Sequence, residues 1–164
     1  MKKIQKKQFG FTLIELLVVM GLFSILLVVI MDMFLAILHT QSKSISASNI
    51  AQDSQFILQK FTNDINNANT ITAPAVGSTN STLQFILYGV PQTYQWDNNN
   101  LKLINNYGTT LLNGFNDDIT NITFTHIGNL NGKDSVQMKF TIKSKISVNN
   151  INETQNYQIT SGIR

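Results

Sequence analysis

The sequence predicts an α+β fold, in which one long N-terminal helix is followed by a small antiparallel β-sheet. Apolar residues first form a long run without proline and then recur at spacings of three and four as far as residue 68, which is typical of a helix. After residue 70 the apolar period shifts to two, which is typical of half-buried antiparallel strands. A chain of 164 residues has room for one modest core.

The charge of the chain is concentrated at its N-terminus. The sequence has 12 basic and 9 acidic residues, a formal net charge of +3. Lys2, Lys3, Lys6 and Lys7 account for four of the basic residues, so 8 basic and 9 acidic residues leave residues 11–164 with a net charge of −1. The basicity therefore does not indicate a nucleic-acid-binding surface. The absence of cysteine excludes disulfides and thiolate metal sites.

The first element is an apolar run over residues 11–31, in which Glu15 is the only ionisable residue. At about 1.5 Å per residue this run spans roughly 31 Å, the thickness of the hydrocarbon core of a bilayer. We therefore predict a transmembrane helix over residues 11–32 in the cytoplasmic (inner) membrane. The lysines before it are expected to hold residues 1–10 in the cytoplasm, which places residues 33–164 outside.

A cleaved secretory signal peptide is the alternative for this segment. Such a peptide has an apolar region of about 7–15 residues followed by a small-x-small cleavage site. The apolar run here is longer, and the nearest small-x-small sequence, Ser46-Ala47-Ser48, lies well beyond its end. Length and spacing therefore favour the transmembrane helix.

Glu15 is the unusual residue of the apolar run. A carboxylate in hydrocarbon costs about 2–3 kcal/mol at the centre of a helix unless it is paired or close to the interface. Glu15 is thus either a tolerated interfacial acid or a group that awaits a positive partner. A free α-amine at Phe11 is one such partner, and it exists only if the chain is cut after Gly10.

The lysine-rich start followed by Gly10-Phe11-Thr12-Leu13-Ile14-Glu15-Leu16-Leu17-Val18-Val19 resembles the N-terminal signature of type IV prepilins and type II secretion pseudopilins. The resemblance implies that residues 1–10 are a leader peptide. A membrane-embedded prepilin peptidase would cut between Gly10 and Phe11 and N-methylate the new amine of Phe11. Glu15 would then pair with the amine of a neighbouring subunit during filament assembly, in contact with membrane lipid and other pilins.

The helical pattern continues past the apolar run, so we predict one helix from about residue 11 to residue 69, roughly 90 Å long. Residues 33–69 form its amphipathic continuation, without proline or glycine. Residues 70–164 are predicted to form the antiparallel sheet domain. The apolar stripe of the helix comprises Ala47, Ile50, Ser54, Ile57, Phe61, Ile65 and Ala68, and the predicted strands cover 82–88, 93–96, 101–105, 119–127, 136–142 and 157–163, with a turn at 97–100.

The downstream half is similar to J-type minor pseudopilins and W-type minor pilins, notably over residues 52–71. Asp32 stands where many major type IV pilins have a proline. The resemblance implies a minor pilin or pseudopilin, a structural subunit that helps initiate or cap a type II secretion pseudopilus or a type IV pilus. The alternative is a pilus subunit that acts as a binding module for DNA, a surface or an exported substrate.

The chain is not expected to be an enzyme or to hold a cofactor or metal. It contains no nucleophile, metalloprotease or phosphate-loop motif, and His39 and His126 are isolated histidines for which a structural role is favoured. Asp97, Asp117 and Asp118 could offer oxygen ligands to calcium, but turn residues explain them more simply. The downstream basic residues that could contact DNA are Lys133, Lys139, Lys143 and Lys145, whose spacing is typical of a solvated strand face.

Overall fold

The computed structural model describes residues 12–129, 132–148 and 150–164. Gly10 and Phe11, at the predicted processing junction, lie outside the described residues. A single 54-residue helix, α1 (Leu13–Asn66), precedes the strands, and the α+β prediction is confirmed. The strands are β1 (Ala68–Ala73), β2 (Thr79–Asn80), β3 (Thr82–Leu87), β4 (Val90–Asp97), β5 (Asn100–Asn105), β6 (Gly108–Leu111), β7 (Asp117–Ile127), β8 (Ser135–Val148) and β9 (Ile151–Gly162).

The helix ends at Asn66, three residues before the end that its apolar spacing suggested. Asn67 closes the last turn, because its backbone N–H donates to the carbonyl of Asn63 at 3.2 Å and its side-chain amide donates to the same oxygen at 2.7 Å. Ala68 then pairs with Leu87 of β3. The ladder with β3 supplies backbone partners that a further helical turn would have supplied, so strand pairing decides where the helix stops.

The chain divides into two compact units, Met1–Gln41 and Ser42–Arg164. In the first unit the residues from Leu13 onward are helical, and their large apolar side chains are exposed. The second unit contains the second half of α1 and all nine described strands. Its core is built from side chains of that helix half and of the strands.

The strands form two antiparallel sheets, whereas the alternation pattern predicted one. The first has the order β1-β3-β4-β5-β6, and the second has the order β2-β7-β8-β9. Alternation reports which side chains face a core, but it carries no information about which strands pair. Sheet number therefore could not be read from the pattern. β1 was not predicted, because the helical spacing continues to residue 69, past its start at Ala68. β2 and β6 were not predicted, because they have only two and four residues and are exposed on both faces.

The hairpin between β4 and β5 follows directly from its sequence. Asn98 and Asn99 adopt positive φ values of 48° and 61°, and Asp97 pairs with Asn100 on either side of them. A two-residue turn with both residues in the left-handed region matches the twist of antiparallel strands, and asparagine tolerates it well. The predicted turn at 97–100 is therefore present.

The core lies where the second half of α1 meets both sheets. Phe61 of α1 is fully buried, and its ring centroid lies 6.2 Å from that of Tyr94 in the first sheet and 6.3 Å from that of Phe124 in the second. The rings of Tyr94 and Phe124 are 6.1 Å apart. Such edge and tilted contacts add to the burial energy of aromatic side chains. Phe61 thus joins all three layers of the unit.

A buried carboxylate completes this core. Asp64 of α1 is 1% exposed, and its carboxylate accepts a hydrogen bond from the Tyr94 hydroxyl at 2.8 Å and pairs with Lys60 at 2.8 Å. Burial, and then the negative charge of Asp64 and the hydrogen bond to it, raise the pKa of Tyr94 well above its usual range. Asp64 therefore finds both of its partners within its own chain.

Candidate functional site

The candidate site begins at the first turn of α1, where Thr12 and Glu15 form two reciprocal hydrogen bonds. The backbone N–H of Thr12 donates to Glu15 Oε2 at 3.0 Å, and the backbone N–H of Glu15 donates to Thr12 Oγ1 at 3.3 Å. The Thr12 hydroxyl also donates to Glu15 Oε2 at 3.0 Å. This arrangement is a capping box, which satisfies two backbone donors that the start of a helix otherwise leaves unpaired.

The cap engages only one oxygen of the Glu15 carboxylate. All the hydrogen bonds from Thr12 reach Oε2, and Oε1 accepts none within the described part of the chain. A carboxylate has about four lone-pair positions, so a cation can still approach Oε1. The negative charge also lies at the positive end of the helix dipole. The first turn thus holds the carboxylate in place while one oxygen remains open.

Thr12 is a site residue that the sequence interpretation missed. That interpretation considered only an interfacial position or a positively charged partner for Glu15. The signal was nevertheless present, because Thr12-Leu13-Ile14-Glu15 matches the T-x-x-E spacing that precedes an apolar helix. To predict the capping box one needs only a helix that begins at Leu13, which is where α1 begins.

The surface around Glu15 is apolar on every side of the helix. The large apolar side chains from Leu13 to Leu38 are 40–80% exposed. Within the described residues, α1 is the one helix that is long and apolar enough to cross a membrane, and its most apolar window has a mean hydropathy of 3.0. No part of the described chain covers these side chains, and such exposure fits contact with lipid or with other helices.

The acids considered for calcium make separate contacts. Asp97 pairs with Lys102 at 2.5 Å, and Asp118 pairs with Lys145 at 3.3 Å. Asp117 lies instead against Asp53 of α1. Among residues 12–129, 132–148 and 150–164, no three histidine or carboxylate side chains come together in a way that could hold a metal ion.

Asp53 and Asp117 join the second half of α1 to the loop before β7. The Asp53 carboxylate accepts a hydrogen bond from the backbone N–H of Gly114, and a Cβ at Gly114 would lie 2.6 Å from Asp53 Oδ2. Burial raises the pKa of Asp117 to about 6, and the charge of Asp53 and a hydrogen bond between the two carboxyl groups act in the same direction. Asp53 and Asp117 are therefore contacts within the fold, between α1 and the start of β7.

His126 also has structural contacts. The residue is 3% exposed, and its Nδ1 lies 2.8 Å from the carbonyl oxygen of Pro74. Its Nε2 lies 3.1 Å from Asp134 Oδ2. The ring therefore ties β7 to the segments that precede β2 and β8.

Comparison with known proteins identifies the N-terminal segment. Residues 5–31 match the family model of the prokaryotic N-terminal methylation motif, and this segment includes Gly10, Phe11, Thr12 and Glu15. Neither a curated protein nor a solved structure matches the chain. The motif implies a substrate of a prepilin peptidase that assembles with other pilins. Together with the single apolar helix, it fits a protein anchored in the inner membrane. Residues 5–31 therefore carry the prepilin-type signature, which supports a pilin or pseudopilin subunit.

Proposed function

We propose that this chain is a minor pilin or pseudopilin that helps initiate or cap a type II secretion pseudopilus or a type IV pilus. The observation that carries the proposal is the prepilin-type signature at residues 5–31, followed by a helix apolar on all faces. Two sequence features support the minor class: the similarity of residues 52–71 to minor subunits, and Asp32 in place of a proline. The role is structural, and no catalytic step is assigned to the chain.

Processing is the first step of the proposed function. A prepilin peptidase cuts between Gly10 and Phe11 and methylates the amine of Phe11, which leaves residues 1–10 as a discarded leader. Mass spectrometry of the membrane fraction tests this directly, with an expected mature chain that begins at N-methylated Phe11. A Gly10→Leu variant should stay uncut, because a side chain then obstructs the approach to the backbone. A mature N-terminus at Met1 or near residue 48 would contradict the proposal.

Assembly is the second step, and we assign it to Glu15. In an apolar environment opposite charges attract strongly, and each charge alone is poorly solvated. The capping box uses Oε2 of Glu15, which leaves Oε1 able to accept a hydrogen bond from the amine of a neighbouring subunit. The hydrogen bond from the backbone N–H of Thr12 positions the carboxylate for that contact. Pairing then offsets the desolvation of both groups.

Two variants separate the capping role of Glu15 from its charge. Glu15→Gln keeps an oxygen that can accept from Thr12 but removes the negative charge. Thr12→Ala removes the side-chain half of the capping box but keeps the charge. Co-purification with other pilins after membrane solubilisation should be lost in Glu15→Gln and retained in Thr12→Ala, with both chains processed normally. Equal co-purification of Glu15→Gln and the wild type would remove the assembly role from this residue.

The orientation of the chain is the third part of the proposal. The lysines of the leader keep residues 1–10 in the cytoplasm and direct residues 33–164 to the other side of the membrane. A reporter that is active only outside the cytoplasm, fused after Arg164, should be active. Activity of a cytoplasm-specific reporter at the same position would reverse the orientation.

The binding-module alternative has less support. Within the described residues Lys145 pairs with Asp118, whereas Lys133, Lys139 and Lys143 take part in no ion pair, and three lysines contribute little to nucleic-acid affinity. We therefore propose the structural role alone.

A further inference from the structure

The last strand of the second sheet has an open edge. β9 pairs with β8 from Ser135↔Gly162 to Val148↔Ile151, and it stands at the end of the order β2-β7-β8-β9. No other strand of the described chain pairs with its opposite side. In an antiparallel strand alternate residues direct both backbone groups away from the partner, so β9 presents a row of unpaired donors and acceptors.

This edge lacks the features that usually protect a sheet from further pairing. Natural edge strands carry charges or prolines, are short, or are bent by bulges. Between Glu153 and Arg164 the chain has no charged residue and no proline. The register irregularity of the β8–β9 pair lies between Lys143 and Ser147, and pairing is regular from Thr154 to Gly162. The opposite edge strand, β2, has only two residues.

An apolar rim follows the open edge. Leu58 of α1 and Tyr157 and Ile159 of β9 pack against the core but remain half-buried. Leu58 and Ile159 belong to an uncharged cleft of about 360 Å³, lined also by Gln59, Thr62, Asn63 and Asn66. The cleft is large enough for one apolar side chain, and a strand laid beside β9 would bring such a side chain to it.

Contacts with α1 limit the length of β9 that remains open to a further strand. The Ser161 hydroxyl donates a hydrogen bond to Asn66 Oδ1 at 2.9 Å, and the backbone N–H of Arg164 donates to the carbonyl of Asn66 at 3.1 Å. The end of β9 is therefore held against α1. The length left open runs from Thr154 to Ile159, which is enough for a short added strand.

We propose that the open edge of β9, residues 154–159, accepts an extended and uncharged segment of a neighbouring filament subunit as an added strand. Only another backbone offers donors and acceptors at the spacing of the edge, which indicates a polypeptide. The neutral lining of the cleft favours an uncharged segment, because a charge placed there would lose hydration without gaining a partner.

A different subunit is favoured over a second copy of this chain. Two copies joined through β9 would form a closed two-fold dimer, and such an isologous contact does not continue along a filament. The inference rests on the proposed function for the identity of the neighbour. The edge and the cleft are independent of it.

Site-specific photocrosslinking in the full chain, in membranes that contain its co-expressed pilins, tests the proposal. A photoreactive residue replaces Gln158 in one variant and Thr123 in the matched control. Both positions pair with Lys139 in the sheet, but Gln158 is on the edge strand and Thr123 is on interior strand β7. We expect a crosslink from position 158 to one segment of one other pilin, and none from position 123.

Hydrogen exchange on the same purified assembly adds a signature that side-chain docking would not produce. Strand addition should slow exchange at alternate amides of residues 154–158 by about tenfold or more, relative to the chain purified alone. Gln158→Glu should abolish this protection, whereas Thr123→Glu, which also places a carboxylate beside Lys139, should retain it.

Several results would overturn the proposal. They are a crosslinked dimer of this chain, a lipid adduct, equal crosslinking from positions 158 and 123, and unchanged exchange over residues 154–158. If the chain is methylated at Phe11 and co-purifies with pilins but gives one of these results, strand addition alone fails. If Phe11 is unmethylated and no pilin co-purifies, the proposed function fails, and the inference fails with it.

Discussion

The two halves of α1 form one continuous helix, but their apolar side chains differ in whether the chain itself buries them. In the first half, apolar side chains such as Phe23 and Phe34 are 59% and 54% exposed, and they occur on every face. In the second half, Ile50, Ile57 and Phe61 are fully buried against strands of the same chain. The first half therefore depends on lipid or other helices for the burial that the second half obtains from its own sheets.

The acidic residues on the two halves of α1 also differ, in the partners that their own chain provides. Asp64 is buried, and Tyr94 and Lys60 of the same chain satisfy it. Glu15 has only the local cap from Thr12, and one of its oxygens accepts no hydrogen bond within the described residues. Asp64 therefore stabilises the fold of its own chain, whereas Glu15 is the acid that we propose for assembly.

Separating the halves is the strongest way to test this contrast. A chain that begins at Ser42 should fold as a soluble monomer, because it retains the complete helix stripe against both sheets. A chain that begins at Ala68 should aggregate, because the inner faces of the sheets are then bare. Size-exclusion chromatography and circular dichroism measure both outcomes. A monomeric and cooperatively unfolding chain from Ala68 would refute the helix-on-sheet core.

Replacing one phenylalanine in each half of α1 by alanine makes the comparison more specific. Phe61→Ala should lower the free energy of unfolding of the 42–164 unit by about 3–5 kcal/mol, because it leaves a cavity between α1 and both sheets. Phe34→Ala should change that free energy by less than about 0.5 kcal/mol, because the chain does not bury Phe34. Urea titrations of the full chain in detergent, followed by fluorescence of Trp96, provide the measurement. Similar losses in the two variants would remove the distinction between the halves.

Removing the hydroxyl group of Tyr94, the polar partner of Asp64, should have a smaller effect on the free energy of unfolding. Tyr94→Phe removes the hydroxyl that donates to Asp64 and keeps the ring, so it should lower the free energy of unfolding by about 1–3 kcal/mol. Tyr107→Phe is the matched control, because Tyr107 is 87% exposed and its loss of a hydroxyl should have little effect. A Tyr94→Phe variant as stable as the wild type would show that the buried bond adds nothing.

The Asp53–Asp117 junction should make the stability of the 42–164 unit depend on pH. The folded pKa of Asp117 is raised to about 6, above its value in the unfolded chain, so the unfolded state loses this proton first as the pH rises. The free energy of unfolding should therefore increase as the pH falls from 7 through 6 towards 4. Asp117→Asn should reduce this slope, and Asp118→Asn should retain it. Denaturant titrations at each pH measure the slope, and an unchanged slope in Asp117→Asn would assign it to other groups.

The smallest expected effect concerns the cap of the first turn. Thr12→Ala should destabilise the start of α1 by about 1 kcal/mol, whereas Thr12→Ser, which keeps the hydroxyl, should cost less. Hydrogen exchange of the first helical amides in detergent micelles measures the difference. Equal exchange in the two variants would mean that lipid, and not the capping box, holds the first turn.

Local patterns made the first half of the molecule predictable. The length of the apolar run, the lysines before it and the T-x-x-E spacing are all readable within about 30 residues, and the cap was missed only because Glu15 was considered in isolation. The helix stripe and most strands were also readable, because side-chain period reports local structure. The end of α1 was misplaced by three residues, because the competing partner of Ala68 is Leu87.

What the sequence by itself determined is therefore the long helix, most of the strands and the identity of the N-terminal segment. Only the tertiary structure decided that there are two sheets, that Asp64 meets Tyr94 at a separation of 30 residues, that Asp53 meets Gly114 at a separation of 61, and that β9 has an open edge. The side-chain period and the composition report only the structure of residues that are close together in the chain. Strand pairing and the partners of buried polar groups depend on which distant segments pack together, and no local pattern specifies that.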